Sequence, residues 1–258
     1  MTESTTARTA TRRLVLATRN PHKVLELSRI LGEAGIPVLD PVAYRADHAD
    51  QADRVDHADR VDHAEELGSP SGAGHNPEEP HAGTRLEIVG VAAFPDVPDV
   101  PETGTTFAEN ATLKARAVAL ATGLPAVADD SGLCVDVLGG APGVFSARWA
   151  GRHGDDVANL DLLLAQLSDV ADGARSAHFA CAAVLALPDG TAHVVEGRID
   201  GTLVHQPRGS NGFGYDPVFQ PYGQRRTTAE MSAAEKDAIS HRGRAFRALV
   251  PRIRALLG

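Results

Sequence analysis

The sequence predicts an α/β or α+β fold with a mixed sheet, and three observations lead to this class. A short apolar run at 14–18 is followed at once by a helix signal, Asn20-Pro21. Two further helices open with capping boxes, at Thr106 and at Ser232. Two apolar runs flank the turn at 188–190, which indicates an antiparallel hairpin. Strands and helices that alternate in this way, with at least one antiparallel pair, are typical of a mixed α/β domain.

The predicted elements follow one another along the chain. Strands are expected at 14–18, 86–94, 126–128, 176–187 and 191–199. Helices are expected from Pro21 to the stop signal at Gly35, and at 107–122, 156–170 and 244–257. The third strand is expected to end at the turn-forming residues 129–132, and Pro251 is expected to kink or break the last helix.

Composition excludes several classes of protein. The 258 residues suit one large domain or two small lobes, and no apolar run reaches the roughly 18 residues of a membrane span. Residues 1–13 lack the apolar segment of a secretory signal and are expected to form a disordered tail. The net charge of −9 argues against a nucleic-acid binder. Cys134 and Cys181 suit free thiols in the cytoplasm better than a disulfide.

Residues 41–84 are expected to form a disordered surface insertion. They contain a near-repeat rich in Asp and His, at 54–59 and 60–65, followed by a stretch rich in Gly, Pro and Ser. Such a segment does not bury enough apolar surface to offset the entropy of ordering it. Weak binding of transition metals by its His and Asp side chains is the alternative.

Lysine is rare in this chain. Lys and Arg total 25, yet the lysines are only Lys23, Lys114 and Lys236. Lysine supplies a compact, mobile charge that suits phosphate, whereas arginine supplies a wide planar fork. All three lysines fall inside the motifs described next, which favours a role for them, although chance in an arginine-biased composition would also explain the pattern.

Two motifs suit phosphate and metal chemistry. The stretch Thr18–Lys23 joins a strand to a helix, whose N-terminus favours anions, with Lys23 one turn in. Glu102 and the stretch 129–131 supply carboxylates that suit a hard Mg²⁺ ion. Neighbouring side chains on a strand face opposite ways, so Asp129 and Asp130 are expected to differ in role. A plain strand–helix connection and a capped turn are the structural alternatives.

Two further motifs suit the rest of a nucleotide. In the stretch 210–217, glycines on both sides of Phe213 let the backbone approach a ligand and leave the ring free to stack on a base. Glu235-Lys236 and the stretch 240–243 place three cationic or potentially cationic side chains within seven residues, at a junction of two helices. A glycine-rich loop with a buried ring and a solvated basic helix end are the alternatives.

Together these motifs resemble the XTP/dITP diphosphatase family, the inosine triphosphatases. The resemblance covers most of the chain outside the tail and the insertion, in the stretches LVLATRNPHKVLEL, PETGTTFAENATLKARA, GLPAVADDSGLCVDVLGGAPGVFSARWAG, GSNGFGYDPVF and EMSAAEKDAISHRGRA. It implies a two-lobed mixed-sheet fold with a central nucleotide cleft in a domain of residues 14–258. It also implies a homodimer, a Mg²⁺ cofactor and hydrolysis of XTP, ITP and dITP to the monophosphate and pyrophosphate.

The resemblance also implies roles for individual residues. Glu102 and Asp130 would bind the metal, Asp130 would also accept the proton of the attacking water, and Asp129 and Lys114 would support them. The substrate contacts that it implies are Thr18, Arg19, Asn20, Pro21, His22, Lys23, Ser131, Phe213, Gly214, Tyr215, Asp216, Lys236, His241 and Arg242.

Two other functions remain open at this point. A diphosphatase for pyrimidine or modified nucleotides would share the stacking ring and the carboxylates. A catalytically silent nucleotide sensor would bind nucleotide without releasing pyrophosphate, and would need residues 41–84 for its biology. Deleting that segment would leave the turnover of an enzyme nearly unchanged.

Overall fold

The computed structural model describes residues 11–39 and 84–256. Most of the tail predicted at 1–13, and all but the last residue of the insertion predicted at 41–84, lie outside these residues. Thr11, Arg12 and Arg13 are described, and they belong to the first strand rather than to a tail.

Among the residues that the structure describes, six strands form one mixed sheet. They are β1 (Thr11–Leu16), β2 (Arg85–Gly90), β3 (Ala126–Val135), β4 (Ser176–Ala186), β5 (Ala192–Leu203) and β6 (Phe219–Pro221). The order across the sheet is β2-β1-β3-β4-β5-β6. β1 runs parallel to β2 and β3, and the remaining neighbours are antiparallel. The predicted mixed α/β class is therefore confirmed.

Five α-helices accompany the sheet in the described part of the chain. They are α1 (Pro21–Glu33), α2 (Phe107–Thr122), α3 (Asp156–Gln166), α4 (Ala233–Ile239) and α5 (His241–Ala255). Short 3₁₀ turns cover Val91–Ala93, Asp136–Leu138, Gly143–Arg148, Asp172–Ala174 and Thr228–Glu230. Within these ranges no helix is both long enough and apolar enough to cross a membrane.

The helix ends follow the predicted local signals. Thr106 and Glu109 form a complete capping box at the start of α2, and Gly123 ends the helix at φ 65° in the left-handed region. Ser232 and Glu235 form a second complete box ahead of α4. These caps satisfy backbone groups that a helix leaves unpaired at its ends, so residues close in sequence are enough to determine them.

The third strand differs from the prediction. Residues 129–132 do not end it in a turn but lie inside β3, which pairs with β4 from Ala126 to Val135. A neighbouring strand supplies hydrogen bonds along the whole length, and this long-range pairing overrides the turn preference of Asp, Ser and Gly.

Other boundaries differ by smaller amounts. β2 ends at Gly90, where a 3₁₀ turn begins, and α3 ends at Gln166 rather than at 170. α5 starts at His241 and continues through Pro251. Its start is set by Ser240, whose side chain accepts a hydrogen bond from the backbone N–H of Gly243.

Apolar side chains cover both faces of the sheet. On one face α1 and α5 pack on the strands, in a core that includes Leu16, Leu27, Val127, Cys181 and Phe246. On the other face α2 packs on Ala126, Ala128, Ala182, Val184 and Ala186. A third core gathers α3, β6 and the far ends of β3, β4 and β5. Each fully buried Leu or Phe in these cores contributes about 1.5–3 kcal/mol.

The alternation of side chains along β3 determines where its acidic residues point. Val127 belongs to the core beneath α1 and α5, whereas Ala128 belongs to the core beneath α2. Asp129 therefore faces α1 and α5, and Asp130 faces α2. Two consecutive carboxylates thus meet different helices.

Candidate active site

The turn between β1 and α1 brings a helix N-terminus next to β3, at Asp129. The hydroxyl of Thr18 accepts a hydrogen bond from the backbone N–H of Asn20 at 3.2 Å, and the carbonyl of Asn20 accepts one from the N–H of Lys23. α1 begins at Pro21, and the side chains of Pro21 and His22 lie outside the described part. The first turn of α1 contains no acidic residue, so its unpaired N–H groups and partial positive charge suit an anion.

Arg19, a predicted substrate contact, pairs with an exposed acidic residue. Its Nε lies 3.0 Å from Asp99 Oδ1, and its guanidinium also donates to the carbonyl of Val97. The residue thereby ties the turn after β1 to the proline-rich segment that leads to Glu102.

A buried ion cluster occupies the face of β3 beneath α1 and α5. Lys23 Nζ lies 2.9 Å from both carboxylate oxygens of Asp129, and Arg242 Nε lies 3.0 Å from Oδ2. Arg242 also donates to the hydroxyl of Ser131 at 3.2 Å. The Asp129 side chain is only 1% exposed. Asp129 therefore holds two of the predicted substrate-binding cations in place.

The charge of Asp129 is well compensated. Burial would raise the pKa of this carboxyl group, but the charges of Lys23 and Arg242, together with their hydrogen bonds, outweigh burial and hold the pKa well below its usual range. Asp129 is thus a permanent anion, and it is suited to positioning cations rather than to exchanging protons.

A second cluster occupies the opposite face, beneath α2. Lys114 Nζ lies 2.8 Å from Glu102 Oε1 and 3.5 Å from Asp130 Oδ1. The two carboxylates come from segments that are distant in sequence, and they meet at a single ammonium group. The structure therefore brings together the two residues that were predicted to share a metal ion.

The protonation behaviour of this second cluster differs from one member to the next. Burial would lower the pKa of Lys114, but Asp130 and Glu102 raise it, so the ammonium stays charged. Burial alone would raise the pKa of Glu102, yet the hydrogen bond from Lys114 and the charges of Lys114 and Arg148 lower it. Burial raises the pKa of Asp130, with a further contribution from Glu102 and partial opposition from Lys114.

Asn110 of α2 is a site residue that the motif analysis missed. It is fully buried, its Nδ2 donates to Asp130 Oδ2 at 3.1 Å, and its Oδ1 accepts the backbone N–H of Gly104 at 2.8 Å. It thereby connects the loop that carries Glu102 to the carboxylate of Asp130. The available signal was an Asn on the apolar face of a predicted helix, since such a buried amide needs partners.

The loop before β6 presents one exposed aromatic ring. Phe213 is 62% exposed, and Lys236 Nζ lies 5.2 Å from the centroid of its ring. Gly212 and Gly214 flank it with φ of 77° and 60°, and a Cβ at Gly212 would collide with the Asp216 carboxylate. The ring is therefore presented in the way that stacking on a base requires.

Tyr215 and Asp216, which were predicted to contact base and sugar, hold this loop from the inside. The Asp216 carboxylate accepts the backbone N–H of Phe213 at 2.9 Å, the hydroxyl of Thr228 at 2.8 Å and the ammonium of Lys236. Tyr215 is 4% exposed, and its hydroxyl donates to a backbone carbonyl at 2.9 Å. Both side chains therefore shape the loop.

A second residue that sequence reasoning missed supports the same loop. Asp156, at the start of α3, accepts the backbone N–H of Gly214 at 3.0 Å. Sequence position gave no sign of this contact, because the two residues lie 58 positions apart.

His241 enters the site as a neutral group. Its ring stacks on Phe179 with centroids 4.9 Å apart and planes inclined by 10°. Burial and the charges of Arg242 and Lys236 lower its pKa well below the usual range, so the imidazole is uncharged at neutral pH. The prediction left its charge open, and the structure favours a hydrogen-bonding role over an ionic one.

All three lysines of the chain therefore belong to these clusters. Lys23 pairs with Asp129, Lys114 with Glu102 and Asp130, and Lys236 with Asp216. Their side chains keep 22%, 18% and 20% exposure, so each of them is partly open to solvent. The first two clusters adjoin, because Asp129 and Asp130 are consecutive residues of β3.

The clusters provide two carboxylates for a divalent cation. Within residues 11–39 and 84–256, no group of three or more His, Cys, Asp or Glu side chains is arranged to hold a metal. Glu102 and Asp130 are the pair that would bind one, and a Mg²⁺ ion is compatible with so few protein ligands because it usually keeps several waters and takes phosphate oxygens from a substrate.

The fold and these clusters define a mixed α/β protein in which lysines, paired carboxylates and an exposed aromatic ring are gathered around β3 and the loop before β6. Comparisons with known proteins identify it further. Residues 76–252 match the model of the Ham1 family, and the chain belongs to that family.

Its relatives are similar over nearly their full length. A protein of Streptomyces avermitilis named dITP/XTP pyrophosphatase is 58% identical over 246 residues, which cover 95% of this chain and 99% of the relative. A solved dITP/XTP pyrophosphatase from Mycobacterium abscessus is 44% identical, with a TM-score of 0.64, over 93% of this chain and 99% of that one. A Ham1 protein structure from Coxiella burnetii is 33% identical, with a TM-score of 0.70, over 95% and 99%.

Proposed function

We propose that this protein is a nucleoside triphosphate pyrophosphatase that removes deaminated purine nucleotides, XTP, ITP and dITP, from the nucleotide pool. The products are the nucleoside monophosphate and pyrophosphate. The observation that carries the proposal is the meeting of Glu102 and Asp130 at Lys114, while the preceding residue of β3, Asp129, pairs with Lys23 in the first turn of α1. Relatives named dITP/XTP pyrophosphatase support the same substrate class.

The triphosphate would lie over the start of α1. The backbone N–H groups of its first turn and the ammonium of Lys23 would bind phosphate oxygens, and Lys236 would approach from α4. Asp129 would keep Lys23 and Arg242 oriented before the substrate arrives, so that little reorganisation accompanies binding.

Asp130 would act on the attacking water. As the water oxygen bonds to the α phosphorus, its proton passes to the Asp130 carboxylate. The bond between the α phosphorus and the α–β bridging oxygen breaks, and its electron pair leaves with pyrophosphate. Asn110 holds one oxygen of Asp130 and thereby leaves the other directed toward Lys114.

Glu102 and Asp130 would together hold a Mg²⁺ ion, which when bound supplies a positive charge that neutralises phosphate oxygens and the leaving group. The chemistry of the donors suits this ion, because both are hard carboxylate oxygens. Lys114 would keep the two carboxylates together in its absence.

Base recognition would combine stacking with polar contacts to the edge of the ring. Phe213 supplies an exposed ring face, and stacking of this kind tolerates many bases. The neutral imidazole of His241, held by Phe179, would contribute a hydrogen bond to a purine edge that carries a 6-oxo group. A 6-amino group in adenine would leave such polar groups unpaired.

We also propose a cytoplasmic homodimer that has neither a nucleic-acid nor a membrane partner. Two free cysteines, Cys134 and Cys181, support a reducing compartment. Leu113 and Leu120 support a dimer, because they are 40% and 78% exposed and, seven residues apart on α2, share one outward face. Light scattering that gives the mass of one chain would contradict the dimer.

Pyrophosphate release from a panel of nucleotides tests the activity. The panel is ITP, XTP, dITP, GTP, ATP, UTP and dTTP, each measured with Mg²⁺ and with EDTA. We expect ITP, XTP and dITP to be hydrolysed fastest, and turnover to vanish in EDTA. Faster turnover of UTP or dTTP than of ITP would favour a pyrimidine enzyme, and binding without any release would favour a sensor.

The role of Asp130 is tested by Asp130→Asn, because an amide neither takes up the proton nor binds a metal well. We expect a folded protein with little activity, whereas wild-type turnover would refute the role. Asp136→Asn is a matched control, since Asp136 follows the same strand but its side chain is 55% exposed.

A further inference from the structure

Arg148 places a second cation at the carboxylate pair. It ends the 3₁₀ turn Gly143–Arg148, and its NH1 lies 3.7 Å from Glu102 Oε2. Lys114 binds the other oxygen of the same carboxylate, Oε1, at 2.8 Å. Glu102 is therefore flanked by two cations that come from different elements, α2 and the segment after β3.

The guanidinium of Arg148 is held in position but remains accessible. Its Cζ lies 5.4 Å from the centroid of the Phe145 ring, which is a cation–π contact. The Arg148 side chain is 32% exposed, and the hydrogen bonds found among the described residues include none from its guanidinium. Most of its five N–H donors are thus available to a ligand that enters beside Glu102.

The lysines of the site are more fully engaged than Arg148. Lys23 and Lys114 each lie within 2.9 Å of a carboxylate oxygen, and Lys236 donates to Asp216. Arg148 is different, because its ion contact is long and its side chain is the most exposed of the four. It therefore has the greatest capacity to gain contacts when an anion arrives.

We propose that Arg148 binds the departing pyrophosphate, that is, the β and γ phosphates of the substrate. This inference rests on the proposed function, since it assigns a residue to the leaving group of that reaction. The planar guanidinium group can donate to two phosphate oxygens at once, whereas the ammonium group of a lysine acts as a single point charge. The position next to Glu102 puts this guanidinium group beside the two carboxylates at which the phosphates would be held.

Product inhibition tests the inference. The experiment measures the inhibition constants of pyrophosphate and of inosine monophosphate. The wild type is compared with three variants, Arg148→Ala, Arg148→Lys and the control Arg152→Ala. Arg152 is a suitable control because it lies four residues away, is 85% exposed and contacts Asp155 only at 3.9 Å. We expect Arg148→Ala to raise the pyrophosphate constant roughly 10-fold or more, the effect of losing charge-assisted hydrogen bonds.

The other measurements test the same contact between Arg148 and pyrophosphate. The monophosphate constant should change less than about 3-fold, Arg148→Lys should recover part of the loss, and Arg152→Ala should match the wild type. Circular dichroism checks folding, and Arg148→Lys keeps the test valid if the alanine variant does not fold.

Several results would overturn the inference. An unchanged pyrophosphate constant in Arg148→Ala would do so, as would equal rises for pyrophosphate and monophosphate. A change confined to the Mg²⁺ concentration at half-maximal activity would show that Arg148 acts only through Glu102. Failure of the proposed function is distinct, because the wild-type protein would then release no pyrophosphate from ITP.

Discussion

Replacing Asp129 with Asn tests the ion cluster beneath α1 and α5. The substitution preserves shape but removes the charge that Lys23 and Arg242 share. Two cations, with side chains 22% and 14% exposed, would then lie next to each other without their common partner. The variant should therefore lose both stability and substrate binding.

The size of the stability loss follows from burial. Removing one partner of a buried ion pair costs about 3–5 kcal/mol, and the partial exposure of Lys23 favours the lower end, about 3 kcal/mol. For a chain of this size each kcal/mol lowers the melting temperature by about 2–4 °C, so the expected decrease is about 6–12 °C at pH 7.

The loss should also depend on pH. Because the pKa of Asp129 is lower in the folded protein than in the unfolded chain, its carboxylate stabilises the fold above the unfolded value of about 4. That contribution declines as the pH falls further toward the folded pKa. The difference in melting temperature between wild type and Asp129→Asn should therefore be constant from pH 8 to about pH 5 and shrink below about pH 4.

Thermal unfolding, monitored by circular dichroism, measures these differences in melting temperature. Asp130→Asn is the control. Burial raises the pKa of Asp130, so its charge does not favour the folded state, and Lys114 keeps Glu102 as a partner. Asp130→Asn should change stability by less than about 1 kcal/mol while turnover is lost. Equal melting temperatures for the two variants would refute the assignment of separate roles to the two aspartates.

Three further substitutions probe other parts of the site and fold. Phe213→Ala should leave the melting temperature unchanged and weaken nucleotide binding by about 1–3 kcal/mol, measured by calorimetric titration, and unchanged affinity would exclude stacking on the base. Asn110→Asp should lower kcat at least about 10-fold, because a second carboxylate would stand where an amide now donates to Asp130 at 3.1 Å; wild-type kcat would exclude this positioning role. Arg175→Met should lower the free energy of unfolding by about 2–4 kcal/mol, because the buried side chain of Arg175 donates to three backbone carbonyls. Unfolding in guanidinium chloride measures this loss, and an unshifted midpoint would contradict it.

Much of the fold was predictable because its signals are local. The capping boxes at Thr106 and Ser232, the stop at Gly123 and the hairpin around 188–190 all satisfy backbone groups with residues a few positions away. The sequence also indicated that Asp129 and Asp130 face opposite ways, since alternation is a property of any strand. That strand proved longer than predicted because β4 pairs along its whole length.

The composition of the site was predictable only in part. Residue types and spacing singled out Glu102, Asp130 and the three lysines, because phosphate and hard metal ions restrict which side chains are suitable. The sequence did not indicate which carboxylate each lysine would meet. That depends on α1 and α2 packing on opposite faces of the sheet.

By itself, then, the sequence determined the order of the elements apart from β6, their caps and most of the groups available for phosphate chemistry. Only the tertiary structure shows that Asp129 binds both Lys23 and Arg242. The same holds for the hydrogen bond from Asn110 to Asp130 and for the contact of Arg148 with Glu102. The physical reason is distance along the chain. Hydrogen bonds and ion pairs between remote residues form only where packing of the cores brings their backbones together, and no local pattern encodes that arrangement.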